Sequence, residues 1–312
     1  MASASAAGAD RVAAPQSAVE MLYARELAYP VQDYIQIQPQ ITTSMRAVLV
    51  DWMREVGVEH RVNVETYFIS VRLLDRMLAI VPVPRKELQL VGAACLLLAA
   101  KLEEVHPLPI RGFEVLCDHL YTRAQFITME TVIMRKLNFK CHSPTMATYA
   151  VELLNLIDAP SAVRFAVEYA LFLVAVDYNV ALLPVAAAAA ATVLLALDAV
   201  PNPDDTRPLA VALIRALPHA VRAAVPHAAA TVATPWARVH TAAKTHVRDA
   251  EAAASAGEQV NLRDVPQCRS AYVRYAAPER GGIAPVLALP PQELRADVLA
   301  LLRDLPYQPS RH

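Results

Sequence analysis

The first strongly periodic segment of the chain predicts an amphipathic helix that begins near Thr43. Apolar residues recur there at spacings of three and four, which places them on one helical face; they are Met45, Val48, Leu49, Trp52, Met53 and Val56. Thr43 or Ser44 can cap this helix. Residues 18–34 carry a weaker helical pattern, and Pro30 is expected to end or kink it. We therefore expect a helical arm before the first regular helix.

Helix signals continue at regular intervals through the next part of the chain. Asn63 is placed to cap a second helix, and Pro82 separates it from a third over residues 86–104 that is apolar nearly all round. Thr122 with Gln125 forms a capping-box pattern that opens a further helix. The third helix is expected to lie buried at the centre of this unit.

A second series of helices is predicted after Ser143 and Pro144, so we place a domain boundary near residues 138–143. The Ala-rich third helix of this series resembles the third helix of the first unit, which suggests a repeat. The predicted helices cover residues 145–157, 162–176 and 184–198.

Beyond residue 208 the pattern deteriorates. Three prolines interrupt an Ala- and Val-rich region, and they are Pro218, Pro226 and Pro235. Periodicity returns in a predicted C-terminal helix, at Leu294, Val298, Leu301 and Leu305.

One uncharged stretch, residues 178–197, is long enough to raise the question of a transmembrane helix. Pro184 interrupts the stretch, and much of the rest is alanine, which is a weak hydrophobe. The pattern favours a buried core helix, and no membrane partner is expected.

Composition favours an all-α protein and argues against two classes of function. The 312 residues include only seven glycines, and alanine and leucine dominate. The net charge of −1 does not suit a protein that binds nucleic acid by neutralising phosphates. The four cysteines are far apart and contain no C-x-x-C pair, so we expect free thiols rather than a zinc site or disulfides.

Five ordered motifs resemble the cyclin box of A- and B-type cyclins. The first, Met45-Arg-Ala-Val-Leu-Val-Asp-Trp-Met53, resembles the opening of the box, and the others follow at the family's spacing. These are residues 74–77, 88–92, 98–104 and the segment from 129–130 to 137–139. The resemblance covers residues 18–200 well and is thin beyond them.

The resemblance implies an all-α cyclin fold, with two consecutive five-helix cyclin-box domains and an N-terminal helical arm. The expected division is a disordered tail, the arm, the first box, a second box with an insertion, and a C-terminal helix or tail. These segments cover residues 1–17, 18–42, 43–140, 141–290 and 291–312.

The resemblance also implies a function. A cyclin is a non-catalytic subunit that binds and allosterically activates a cyclin-dependent Ser/Thr protein kinase and controls the cell cycle. Lys101 and Glu130 match the charged pair with which the family grips the kinase, while Leu102, Met134 and Phe139 match its apolar contacts. From the pattern alone, Lys101 could instead end a helix, Glu130 could be a solvated charge, and the apolar residues could belong to the core.

A second group of positions matches the family's docking groove for Arg-x-Leu segments of substrates and inhibitors. In that reading an apolar slot takes the leucine, Trp52 forms a flat wall and Glu55 pairs with the arginine. Without the resemblance, such a stripe is ordinarily core. The residues are Met45, Val48, Leu49, Trp52, Glu55 and Gln89.

Two further positions, Arg46 and Asp75, match an internal ion pair of the family that ties the first two helices together. No catalytic residue is expected: the nine histidines lack metal-ligand spacing, and the sequence has neither a Gly-x-Gly-x-x-Gly loop nor a His-Arg-Asp loop. We expect neither a metal nor a cofactor.

Two alternatives remain open from the sequence. One is a cyclin fold of the transcription-factor type that binds nucleic acid or protein, although the basic helices and zinc ribbon expected of it are not visible. The other is a helical scaffold that has lost kinase binding. Residues 1–10 show neither a basic region nor an apolar core of a signal peptide, so we expect a location in the nucleus and/or cytoplasm.

Overall fold

The computed structural model describes residues 17–200, 203–255, 269–277, 283–286, 294 and 296–304. Throughout these residues the regular structure is helical, and no β-strand occurs among them. The all-α prediction is confirmed. The predicted tail, residues 1–17, lies outside the described residues apart from Ser17.

The N-terminal arm begins with helix α1 (Ala18–Glu26), and the Ser17 hydroxyl caps it by accepting a hydrogen bond from the Glu20 amide. The helix ends four residues before Pro30, so the prediction of helix as far as residue 34 was too long. The chain then continues through a short 3-10 turn, Ile35–Ile37. Proline disfavours helical backbone in the residue before it, which fits an end upstream of Pro30.

The first unit contains five helices, in agreement with the expected cyclin box. The cap of the first is Thr42, whose hydroxyl accepts from the Met45 amide, rather than Thr43 or Ser44. The Asn63 cap and the capping box of Thr122 with Gln125 are confirmed. The helices are α2 (Thr43–Glu59), α3 (Val64–Leu78), α4 (Leu88–Glu103), α5 (Ile110–Leu116) and α6 (Arg123–Lys136).

Helix α4 is the buried centre of the first unit, as its sequence predicts. Twelve of its residues are buried, from Leu88 to Ala100 with only Gln89 excepted. Helices α2, α3 and α6 pack around it. Only the two ends of α4 reach the surface, and both ends carry predicted site residues.

The second unit repeats this plan around an Ala-rich central helix. The stretch over residues 178–197 is divided between two of its helices, and the second of them is buried along almost its whole length. The prediction of a core helix is confirmed. Within the described residues, no helix has the length and apolar character needed to cross a membrane. The helices are α7 (Met146–Leu156), α8 (Ser161–Ala175), α9 (Tyr178–Ala181), α10 (Val185–Ala199), α11 (Pro203–Ala216) and α12 (His219–Ser255).

Helix α12 overturns part of the prediction for the region after residue 208. Pro218 does fall between α11 and α12, but Pro226 and Pro235 lie inside one continuous helix of 37 residues. Helix α12 packs against α8 and α10, and it buries Val232 and Trp236 completely. Tertiary burial therefore outweighs the local cost of the two prolines.

The C-terminal region adds three short helices, α13 (Arg269–Ala276), α14 (Ile283–Val286) and α15 (Ala296–Asp304). The predicted C-terminal helix is present as α15, which packs against α11 and α12 and buries Val298. Leu294 is also buried but lies before the helix begins. The side chain of Leu301 and the whole of Leu305 lie outside the described residues, as does most of the predicted insertion.

Candidate functional site

A charged pair joins the end of α4 to the middle of α6 at one surface of the first unit. Lys101 lies in the last turn of α4, and Glu130 lies on α6, which packs beside it. The Lys101 ammonium donates to both Glu130 carboxylate oxygens, at 2.6 and 2.7 Å. The Glu130 side chain is 11% exposed and the Lys101 side chain is 40% exposed. The carboxylate is thus held inside while the ammonium reaches the surface, where a partner can also contact it.

Three apolar residues predicted to contact the kinase lie on the segments that carry this pair. Leu102 directly follows Lys101 and is 45% exposed. Met134 lies one helical turn beyond Glu130 on the same face of α6 and is partly buried against the core. Phe139 follows the end of α6 and is 71% exposed. We call these five residues the Lys101 face.

Val105 is a further exposed apolar residue beside the Lys101 face, and sequence reasoning missed it. It lies just past the end of α4, three residues after Leu102, and is 87% exposed. An apolar residue next to the helix end, outside the periodic pattern, is the signal that could have identified it.

A groove of about 530 Å³ lies between α2 and the N-terminal end of α4. Leu49 is buried in its floor, while Val48 is 63% exposed. The residues that line it, which we call the Trp52 groove, are Ser44, Met45, Val48, Leu49, Trp52, Arg85, Leu88 and Gln89.

The Trp52 groove brings together five of the six predicted docking residues. The exception is Glu55, which does not line it. The Glu55 side chain is 50% exposed, and its Oε1 atom lies 3.9 Å from Nη2 of the neighbouring Arg54. The structure adds Ser44, Arg85 and Leu88 to the lining, none of which the sequence pattern singled out.

A glycine allows α2 and α4 to approach closely at the groove floor. A Cβ atom placed on Gly92 would lie 2.7 Å from Cδ1 of Leu49. Such a distance is far below van der Waals contact, so only glycine leaves Leu49 in this position.

Arg46 and Asp75 form a buried bidentate pair. The Arg46 Nε and Nη2 atoms donate to the two Asp75 oxygens at 2.7 and 2.8 Å, and Nη1 donates to the carbonyls of Ala175 and Val176 in the second unit. Tyr34 of the arm donates its hydroxyl to Asp75. Burial alone would lower the pKa of Arg46, but the Asp75 carboxylate outweighs burial and raises it. The pair therefore connects three parts of the chain, not only two helices.

Glu26 joins the arm to the second unit, and sequence reasoning missed this contact. Its carboxylate accepts from the Tyr149 hydroxyl at 2.8 Å and from the amides of Val185 and Ala186 at the start of α10. Pro184, the cap residue of α10, supplies no side-chain hydrogen bond, so Glu26 caps that helix from a distance. No local pattern marks this role, because the partners are more than a hundred residues away.

The described residues contain no group of three or more His, Cys, Asp or Glu side chains that could hold a metal ion. Cys95, Cys117 and Cys141 are free and buried, and burial raises the pKa of the Cys117 thiol to about 11. Cys268 lies outside the described residues.

Comparison with known proteins connects the first unit to a family. The family model described as "Cyclin, N-terminal domain" matches residues 17–142. Cyclin-A2 of Xenopus laevis is 42% identical over 130 residues, which cover 41% of this chain and 31% of that protein. The G2/mitotic-specific cyclin S13-7 of Glycine max is 40% identical over 123 residues, 39% of this chain and 48% of that protein. Cyclin-B1-1 of Arabidopsis thaliana is 37% identical over 138 residues, 44% of this chain and 32% of that protein. The matches thus span between 31% and 48% of these relatives.

A solved structure extends the likeness of fold beyond the first unit. A viral cyclin from herpesvirus saimiri superposes with a TM-score of 0.57 at 23% sequence identity, over 70% of this chain and 97% of that chain. At this identity the likeness concerns the fold alone. The predicted cyclin fold is therefore confirmed.

Proposed function

We propose that the chain, whose residues 17–142 match the cyclin N-terminal domain, is a cyclin of the A/B type and acts as a regulatory subunit that activates a cyclin-dependent Ser/Thr kinase. The observation that carries the proposal is the Lys101 face, in which a charged pair stands among exposed apolar side chains. In this proposal the chain itself is not an enzyme, and it acts in the nucleus and/or cytoplasm in control of the cell cycle.

The composition of the Lys101 face suits a protein interface. Phe139 and Leu102 expose large apolar surfaces that binding would remove from water, and such anchors carry much of an interface's energy. Lys101 is already oriented by Glu130, so it loses little freedom when it donates to a carbonyl of the partner. Truncating one partner of such a charged hydrogen bond in a partly dry interface weakens binding by about 2–5 kcal/mol.

Activation follows if the Lys101 face binds the active form of the kinase more tightly than the inactive form. In protein kinases, helix αC must place its glutamate against the lysine that contacts ATP. A subunit that holds αC in that position shifts the kinase toward the active state by its differential affinity alone. A shift from 1:99 to 99:1 needs about 5.5 kcal/mol of preference.

The Trp52 groove is the proposed docking site for Arg-x-Leu segments of substrates or inhibitors. Its walls combine the exposed Val48 with the flat ring of Trp52, and its floor is the buried Leu49. A leucine side chain fits such an apolar slot, and the groove lies at the opposite end of α4 from Lys101, so both sites can be occupied together.

The binding proposal is tested by mixing the purified chain with a monomeric cyclin-dependent kinase and measuring the dissociation constant. We expect Leu102→Ala to raise it about tenfold or more because an interface anchor is lost. Leu120→Ala is the matched control, since Leu120 is 67% exposed but lies outside the Lys101 face, and it should change affinity less than about twofold. Failure of the chain to bind any kinase of this class would overturn the proposal.

The groove is tested by separating docking from kinase binding. Trp52→Ala should weaken binding of an Arg-x-Leu peptide about tenfold and leave kinase affinity within about twofold. Val48→Glu, at an exposed position, should do the same without disturbing the core. If both variants lose kinase binding and peptide binding equally, the groove residues are structural and the docking role is wrong.

A further inference from the structure

The two acidic side chains beside the Trp52 groove share one buried arginine. Asp51 lies three residues after Val48 on α2, and Glu55 lies three residues after Trp52, so each acidic side chain neighbours a groove residue along the helix. Nε and Nη2 of Arg54 donate to Oδ1 of Asp51 at 3.1 and 2.8 Å. The same Nη2 atom lies 3.9 Å from Oε1 of Glu55.

The position of Arg54 makes its charge difficult to screen. The Arg54 side chain is 1% exposed, whereas those of Asp51 and Glu55 are 14% and 50% exposed. Water and salt screen exposed charges well, but they screen a buried guanidinium poorly. The positive charge of Arg54 therefore reduces the negative potential at both carboxylates. Arg54 therefore acts on the surface beside the groove although it is itself inside.

The groove carries a second positive charge. Arg85 lines it opposite α2, and the Arg85 amide is tied to the Gln40 side chain at 3.2 Å. Arg54 and Arg85 thus bring two positive charges close to the carboxylates of Asp51 and Glu55. These charges weaken the attraction of the two carboxylates for an incoming arginine.

We infer that Arg54 sets the docking specificity of the Trp52 groove by suppressing selection for arginine in the docking segment. The inference rests on the groove of the proposed function and refines it. An Arg-x-Leu segment still binds through its leucine, while its arginine adds little. Segments with a neutral residue in place of arginine then bind nearly as well, which widens the class of peptides that the chain recruits.

A peptide pair tests this specificity directly. Fluorescence anisotropy compares a short labelled peptide that contains Arg-x-Leu with the same peptide carrying alanine in place of arginine. We expect the natural chain to prefer the arginine peptide by less than about threefold. Methionine is similar in length to arginine but has no charge, so in Arg54→Met the preference should rise to about tenfold because Asp51 and Glu55 lose the positive charge that opposes them.

Glu55→Gln supplies the second arm of the experiment. In the natural chain it should leave the preference unchanged, and in the Arg54→Met background it should remove most of the gained preference. If Arg54→Met does not fold, a clear fall of the arginine preference on Glu55→Gln in the natural chain still contradicts the inference.

A preference of about tenfold or more for arginine in the natural chain would overturn the inference. So would an unchanged preference in folded Arg54→Met, or binding of neither peptide. Kinase affinity is measured on the same samples, so a failure of the groove is distinguished from a failure of kinase binding.

Discussion

Phe139 is held in an unusual backbone conformation on the surface. Its φ angle is 58°, in the left-handed region that bulky residues rarely occupy, and Asn138 before it has a φ of 51°. The Phe139 amide donates to the Met134 carbonyl at 2.8 Å, which closes the end of α6. The ring gains little from the fold, since it is 71% exposed. A strained, exposed aromatic residue is expected where binding rather than stability determines the residue.

We predict that Phe139→Gly separates stability from binding. Glycine adopts positive φ without strain, so the substitution should raise the free energy of unfolding by about 1–2 kcal/mol. The greater conformational entropy of the unfolded chain partly offsets this gain. The free energy of unfolding, measured in urea, should therefore not fall, while kinase affinity should fall about tenfold or more. A marked loss of stability would mean that the ring supports the fold.

Sequence reasoning could name the proposed site residues that lie in contiguous motifs. Lys101 and Glu130 belong to two such motifs, and the structure places their side chains in contact. The sequence alone could not identify Glu26, because the two amides that its carboxylate caps are about 160 residues later in the chain. Arg54 escaped for another reason: an arginine in an amphipathic helix is ordinarily solvated, and only the packing shows that this one is buried.

At the scale of helices, the contact between α2 and α4 depends on Gly92. We predict that Gly92→Ala pushes Leu49 and α2 outward and destabilises the protein by about 1–3 kcal/mol. The matched control is Gly57→Ala, also inside a helix, where the added Cβ would lie 3.8 Å from its nearest neighbour, Val62. That variant should be stabilised by about 0.5–1 kcal/mol through helix propensity.

Chemical denaturation measures both glycine variants. Gly92→Ala should weaken binding of the Arg-x-Leu peptide to the Trp52 groove, and Gly57→Ala should leave it unchanged. Only the Gly92 substitution displaces the groove floor. Equal stability of the two variants would show that α2 moves freely relative to α4.

The packing of α12 against α8 contains a buried histidine. His240 is 2% exposed, and its Nδ1 atom lies 2.8 Å from the Tyr169 hydroxyl. Burial, with a smaller effect of Lys244, lowers the pKa of His240 from 6.5 to about 4. The folded protein thus keeps His240 neutral, while the unfolded chain takes up a proton below pH 6.5.

Stability is therefore expected to fall as the pH decreases from about 6.5 toward 4. Because each pKa unit corresponds to about 1.4 kcal/mol, the loss attributable to His240 is roughly 3 kcal/mol over that window. Urea denaturation at several pH values should show a smaller loss in His240→Gln than in the natural chain. His60→Gln, at an exposed position, is the matched control. Equal pH profiles for all three proteins would contradict the assignment.

The helix order could be predicted from periodicity and caps, but the continuity of α12 could not. Pro226 and Pro235 each remove a backbone donor, and local rules therefore predict breaks. What maintains the helix is burial of Val232 and Trp236 against helices more than thirty residues away, which local sequence does not contain.

For the molecule as a whole, α4 places the two proposed binding sites a fixed distance apart. Gln89 near its start lines the Trp52 groove, and Lys101 near its end belongs to the Lys101 face. The two residues are twelve positions apart, which corresponds to about 18 Å along a helix. Because α4 is buried between them, the proposed function implies that a segment docked in the groove would be held at a constant offset from a kinase on the Lys101 face.

The central claim is tested most directly by the rate at which a monomeric cyclin-dependent kinase phosphorylates a Ser/Thr-Pro peptide as this chain is added. We predict a saturable increase of about a hundredfold, as expected if the active kinase rises from a hundredth of the population to nearly all of it. Phe139→Gly should shift the half-maximal concentration upward. A rate that stays at the level of the kinase alone, with every cyclin-dependent kinase of the source cell, would contradict the account.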